Sequence, residues 1–117
     1  MMGYATELLD KALDRERKQQ EKLRLRLLQR LPRVLDALKK EVSFREAYIF
    51  GSLTKPFGFS RRSDIDVGFV GLKDDDFFKA AAYLSGKIAV DVDVVQMERH
   101  RLRKKIKKEG IRWTKRP

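Results

Sequence analysis

Three aspartates at two places in the chain are the residues best suited to do chemistry. Asp64 and Asp66 stand one residue apart, just ahead of Val67, Phe69 and Val70. In an extended strand, residues two apart face the same side. Two carboxylates side by side repel, and burying them is costly unless a cation neutralises them. Mg2+ does this and prefers oxygen donors. A second acidic alternation, IAVDVDVV from Ile88 to Val95, points Val90, Val92 and Val94 one way and Asp91 and Asp93 the other. If the two strands are neighbours, three carboxylates converge. Such a set can hold two ions about 3.5–4 Å apart for in-line phosphoryl displacement. Periodicity alone leaves Asp91 and Asp93 both open as the third acid.

Gly51-Ser52 offers the complementary half of a phosphate site. Glycine lets backbone approach a ligand closely, and successive N–H groups in a turn make a nest for phosphate oxygens. The Ser52 hydroxyl adds a hydrogen-bond donor, and Lys55 adds a positive charge.

The elements that must position these residues follow from pattern. Residues from about Tyr4 to Leu31 read as one long helix, with Leu9, Leu13, Leu23 and Leu27 at heptad positions and Glu16 and Gln20 between them. Its middle, RERKQQEK, has no apolar face. Two readings fit: a solvated helix packed only at its ends, or a helix that docks on another subunit or partner. Pro32 is expected to interrupt it, with a second helix carrying Val34, Leu35, Leu38 and Val42. Ala47–Phe50 and Ile65–Val70 read as strands, with Leu53–Ser63 an irregular loop between them. Asp74, Asp75 and Asp76 open a helix, where acids cap free N–H groups more readily than they bind metal. Phe77, Ala81 and Leu84 form its buried stripe, and Gly86 is its expected stop. A third strand spans Ile88–Val95. Glu98–Glu109 reads as a basic helix with Leu102 and Ile106 as its apolar line, followed by a short strand at Ile111–Trp113. His100, the one histidine, reads as an exposed helix residue.

Taken together, these residues resemble a known family. Gly51-Ser52, an eleven-residue gap and Asp64-Ile65-Asp66 are similar to the signature of the DNA polymerase beta nucleotidyltransferase superfamily, and SDIDV resembles its minimal nucleotidyltransferase (MNT) branch. FGSLTKPFGFSRRSDIDV follows, almost position by position, a subgroup pattern FGSLxxPxxFxxRSDIDL, whose loop is one residue longer than is usual. The segment from Val92 to Glu98 resembles that subgroup's later VDLVDLE-like stretch, which favours Asp93 over Asp91. Lys55-Pro56 stands where MNT proteins often carry Arg-Gly, so the loop is the point of departure.

The resemblance covers roughly Glu46 to Trp113. It implies an α+β, two-layer fold: a small mixed sheet flanked by helices, with residues 46–117 as the nucleotidyltransferase domain; residues 1–45, which the resemblance does not reach, read from their own pattern as a helical extension packing on it or on a partner. It further implies that Asp64, Asp66 and Asp93 ligate Mg2+ and carry catalysis, with Asp93 also suited to take the proton of an attacking hydroxyl. Gly51, Ser52 and Lys55 would hold the triphosphate of ATP or another NTP. The implied activity is AMP transfer to a protein hydroxyl. The implied setting is that of an antitoxin which modifies and silences a helical HEPN ribonuclease in a hetero-oligomer. A catalytically weak relative that inhibits its partner by complex formation alone would carry the same motifs.

Composition bounds the alternatives. The 117 residues suffice for one core. Without cysteine there are no disulfides or thiolate metal sites. No basic start leads into an apolar run and no apolar stretch approaches a bilayer span, so a cytoplasmic protein is expected, with no membrane contact. Of the net charge of +11, the segment 99–117 carries +9, from ten Lys/Arg against one Glu. That segment reads as a solvated helix face, as an RNA contact, or as a field steering ATP toward an acidic site. Trp113 is its lone aromatic residue, which is poor interleaving for a nucleic-acid surface.

Overall fold

The apolar run of β1 (Glu46–Phe50) has its inner residues, Ala47, Tyr48 and Ile49, buried. Its neighbour β2 (Ile65–Val70) buries every residue except Asp66. The two strands pair antiparallel, with Phe50 opposite Asp66. β3 (Val92–Gln96) runs parallel to β2, and β4 (Ile111–Thr114) antiparallel to β1, giving the sheet order β3-β2-β1-β4. The parallel pair requires a crossover, which α2 (Asp74–Lys87) provides. These features belong to a computed structural model, which describes residues 2–115, with side chains from residue 6 onward.

Alternation along the strands builds two faces. Ala47, Ile49, Ile65, Val67, Phe69 and Val94 join Leu31, Leu35 and Leu38 of α1 (Met2–Leu38) and Ala80 and Leu84 of α2 in the main core. Phe44 meets Phe69 edge-on at 4.8 Å and Trp113 at 5.1 Å, sealing the end of this layer. The Trp113 indole donates to Asp36 of α1 at 2.8 Å, tying β4 to the helix. On the other face, Tyr48, Val70 and Met97 pack against Ile106 of the short α3 (Arg103–Glu109). The fold is thus the expected α+β arrangement, a small mixed sheet covered by helices with a long helix at its N-terminal end.

Pro32 does not break α1, which runs unbroken for 37 residues. A helix-interior proline costs about 3 kcal/mol. Burying Leu27, Leu31, Val34, Leu35 and Leu38 on both sides of it, at about 1.5–3 kcal/mol each, outweighs that cost. The expected second helix is therefore the last turn of the first, and Lys39–Val42 form turns beyond it. At the other end, residues 6–19 are all exposed, Leu8, Leu9 and Leu13 among them. This half of the helix projects from the domain, and the molecule measures 61 × 27 × 26 Å.

Three smaller boundaries also move. Gly86 lies inside α2 rather than ending it, and the Ile88 amide closes the helix on the Leu84 carbonyl. β3 begins at Val92 rather than at Ile88. None of the three first-turn aspartates of α2 caps it by side chain; Asp74 instead accepts from Gln96 and Arg99. The expected helix from Glu98 splits into a 3-10 turn (Met97–Arg99) and α3, because the His100 ring nitrogen takes the Leu102 amide. Among the described residues, no helix is long and apolar enough to cross a membrane.

Candidate active site

Asp64, Asp66, Asp93 and the turn from Gly51 lie at one end of the sheet. Gly51 follows β1 there, Asp64 directly precedes β2, and Asp66 and Asp93 are the second residues of β2 and β3. Register, which sequence periodicity could not supply, puts Asp93 directly opposite Asp66 on the parallel neighbour. Asp91 stands before the strand, its backbone carbonyl taking the Ile65 amide. Asp66 lies on the sheet face covered farther along by α3, one step from Gly68 in the alternation. It is partly buried, whereas Asp64 and Asp93 are exposed.

Burial raises the Asp66 pKa above the ordinary carboxylate value, and the charges of Asp93 and then Asp64 push it further in the same direction. Three acids thus share one electrostatic neighbourhood centred on Asp66. Among the described residues, no trio of acidic or imidazole groups is close enough to hold an ion as it stands. The donor set is all carboxylate oxygen, with Asp66 and Asp93 on adjacent strands. That chemistry fits a hard divalent cation such as Mg2+, with Asp64, Asp66 and Asp93 as the residues that would hold it.

Gly51 stands against this cluster. Its φ is +79°, and a Cβ built on it would lie 2.2 Å from Asp66 Oδ2. Only glycine brings the backbone this close to the carboxylate in that conformation. Gly51–Thr54 form a 3-10 turn, with the Thr54 hydroxyl donating to the Gly51 carbonyl at 2.7 Å. Ser52 sits in this turn, partly exposed. Next, the Gly58 amide bonds the Lys55 carbonyl at 2.9 Å, and Phe57 has φ +59°. With Pro56 second and a positive φ third, this follows the plan of a type II turn. The Lys55-Pro56 departure therefore builds a tight turn of its own.

Beside the loop, a cavity of about 160 Å³ opens between the 3-10 turn and α3. Phe50, Leu102 and Ile106 give it apolar surface, and Lys55 and Lys105 stand at it from opposite sides. Lys105 was not singled out in the sequence, because it is one of several lysines on a helix with no local cue to separate them. Among the described residues, Lys55, Lys104, Lys105, Lys107 and Lys108 have no carboxylate partner. A second feature missed in the sequence is Arg24, buried on α1 and bonded to the Leu53 carbonyl. Its signal was present: Arg24, Leu27, Leu28 and Leu31 follow the i, i+3, i+4, i+7 spacing of a buried stripe. A charged residue on such a stripe needs a buried partner.

No protein-family model matches the chain, and no curated protein matches it.

Proposed function

We propose that the chain is a divalent-cation-dependent nucleotidyltransferase that moves AMP from ATP to a hydroxyl of a partner protein. In this reading it is an antitoxin that modifies and neutralises a helical HEPN ribonuclease. The observation that carries the chemistry is the juxtaposition at the sheet end: Asp93 paired with Asp66, Asp64 within its electrostatic reach, and Gly51 closed onto Asp66. Nucleotide transfer needs acids beside a loop that can receive phosphate, and the carboxylates next to the Gly51 turn support that reading.

The chain's own residues divide the work. The loop from Gly51 through Lys55 receives the β- and γ-phosphates, with Ser52 donating a hydrogen bond and Lys55 a charge. The cavity lined by Phe50, Leu102 and Ile106 offers apolar surface next to that loop, and Lys105 faces it from α3. Asp93, exposed beside Asp66, takes the proton of the attacking hydroxyl. A bond forms from that oxygen to the α-phosphorus, the bond to the bridging oxygen breaks, and pyrophosphate leaves. Mg2+, when bound, neutralises the carboxylates and stabilises charge on the phosphoryl oxygens. The projecting half of α1, with Leu9 and Leu13 exposed, suits docking of a helical partner.

The test is transfer of label from α-labelled ATP to a co-expressed helical partner with Mg2+. Label on the partner that disappears in Asp64→Asn supports the reading. No label with any divalent metal, together with inhibition of the partner by binding alone, replaces it with a catalytically silent binding module. The unpaired lysines of α3 favour a second contact, to RNA, which the salt dependence of binding examines.

A further inference from the structure

Arg24 is 7% exposed, rare for a guanidinium. It sits on α1, yet its Nη1 donates 2.9 Å to the Leu53 carbonyl, in the turn that opens with Gly51-Ser52. Its Nε and Nη2 form a fork on the two oxygens of Glu21, at 2.5 and 3.1 Å. Glu21 also accepts the Phe57 amide at 3.1 Å, and Arg17 lies over the Phe57 ring at 4.7 Å from its centroid. The helix therefore grips the loop at two points, Leu53 and Phe57, on either side of Lys55-Pro56. Phe57 is the residue with φ +59°, a conformation that side chains with a Cβ rarely adopt. Such a residue persists only where its surroundings over-determine it, and here the determinants come from α1.

We propose that Glu21 and Arg24 are positioning residues, a forked pair on α1 that fixes the loop from Gly51 to Gly58 in the shape that receives a nucleotide triphosphate. The proposal rests on the nucleotidyltransferase reading above. Neither residue touches the carboxylates; both act through the loop. Arginine is required because one planar group must hold a carboxylate and a carbonyl at once, which an ammonium does not do with the same geometry. Leu13, on the projecting half, lies about 12 Å along the same helix from Glu21. A partner seated on Leu9 and Leu13 would thus pull on the element that shapes the loop.

Arg24→Lys and Glu21→Gln, made in the full chain, test this with two readouts. Amide exchange across residues 51–58 is expected to accelerate about tenfold in Arg24→Lys while exchange in β1 and β2 is unchanged. The KM for ATP in label transfer is expected to rise about tenfold with kcat nearly constant. Glu21→Gln should move both in the same direction by less, since the amide oxygen can still accept from Arg24 Nε and the Phe57 amide while the bond from Arg24 Nη2 is lost. A purely structural role would instead lower kcat as the folded fraction falls, leave KM alone and speed exchange throughout. Unchanged loop exchange and unchanged KM in a folded Arg24→Lys overturn the proposal. Should Arg24→Lys not fold, Glu21→Gln decides by the same criteria. If wild type neither binds a fluorescent ATP analogue nor transfers label, the transferase reading fails. In that case the exchange measurement still decides whether the pair holds the loop.

Discussion

Replacing Gly51 by alanine tests how the backbone meets the carboxylates. Two costs can be read from its geometry. At φ +79° an L-residue sits in the left-handed region, at about 1–2 kcal/mol. The new methyl would also stand 2.2 Å from Asp66 Oδ2 and 3.2 Å from its carboxyl carbon, so the carboxylate or the turn must retreat by about 1 Å to restore ordinary contact. The two together should lower stability by about 1–3 kcal/mol. For a domain of this size, that is a drop of roughly 4–12 °C in melting temperature. A shift of about 1 Å at reacting groups is worth about 100-fold in rate. The assay pairs a thermal melt with ATP-dependent label transfer. Gly86→Ala is the control: nothing lies within 4 Å of an added Cβ there, and the residue is helical. It should be neutral or stabilising by up to about 1 kcal/mol. If Gly51→Ala melts and reacts like wild type, the loop is not closed onto Asp66 as described, or Asp66 has no part in the chemistry.

Asp66→Asn should raise the melting temperature of the metal-free protein at neutral pH while abolishing label transfer. The folded state raises the Asp66 pKa, so its charge opposes folding; that penalty is full above the raised pKa and fades as pH falls toward the ordinary carboxylate range. The gain in Asp66→Asn should therefore shrink in mildly acidic buffer, whereas added Mg2+ should raise the melting temperature of wild type alone. Asp74 has the opposite sign. Hydrogen bonds from Gln96 and Arg99 lower its pKa, so its contribution is present above the ordinary carboxylate range and is lost as pH falls through the lowered value. Asp74→Asn should accordingly flatten acid unfolding, as followed by circular dichroism. Trp113→Phe removes the indole bond to Asp36 and should cost about 1–3 kcal/mol in urea unfolding. If α3 contacts RNA, charge removal at Lys104 and Lys108 should reduce the slope of log affinity against log salt by about 0.7 per lysine for a single strand. An unchanged slope would assign those lysines to solvent.

What the sequence made legible was whatever a local period encodes. Val92 and Val94 against Asp93, and Ile65 and Val67 against Asp66, follow the pleat of a half-buried strand, and the structure keeps both alternations. Which of Asp91 and Asp93 stands opposite Asp66 was not local, because it depends on the register of β3 against a strand more than twenty residues earlier. Pro32 misled because its local cost is real but is overridden by leucines whose partners lie on the sheet. The split at His100 turned on one side-chain bond to backbone, which competes with helix without leaving a periodic trace. Arg24 was legible in principle, since a guanidinium on a leucine stripe asks for a buried acceptor. Its acceptor, the Leu53 carbonyl, carries no sequence signature because every residue has one.

The projecting half of α1 has a hydrodynamic consequence. A compact chain of this length would have a radius of gyration of about 13 Å, whereas this molecule has 17.1 Å. Elongation of that degree increases drag, so the monomer should elute from gel filtration ahead of globular standards of equal mass and tumble anisotropically in solution. Elution volume calibrated on spheres will read it as heavier than it is. Stoichiometry with a partner is therefore to be measured by light scattering or sedimentation equilibrium, which weigh the particle without assuming its shape.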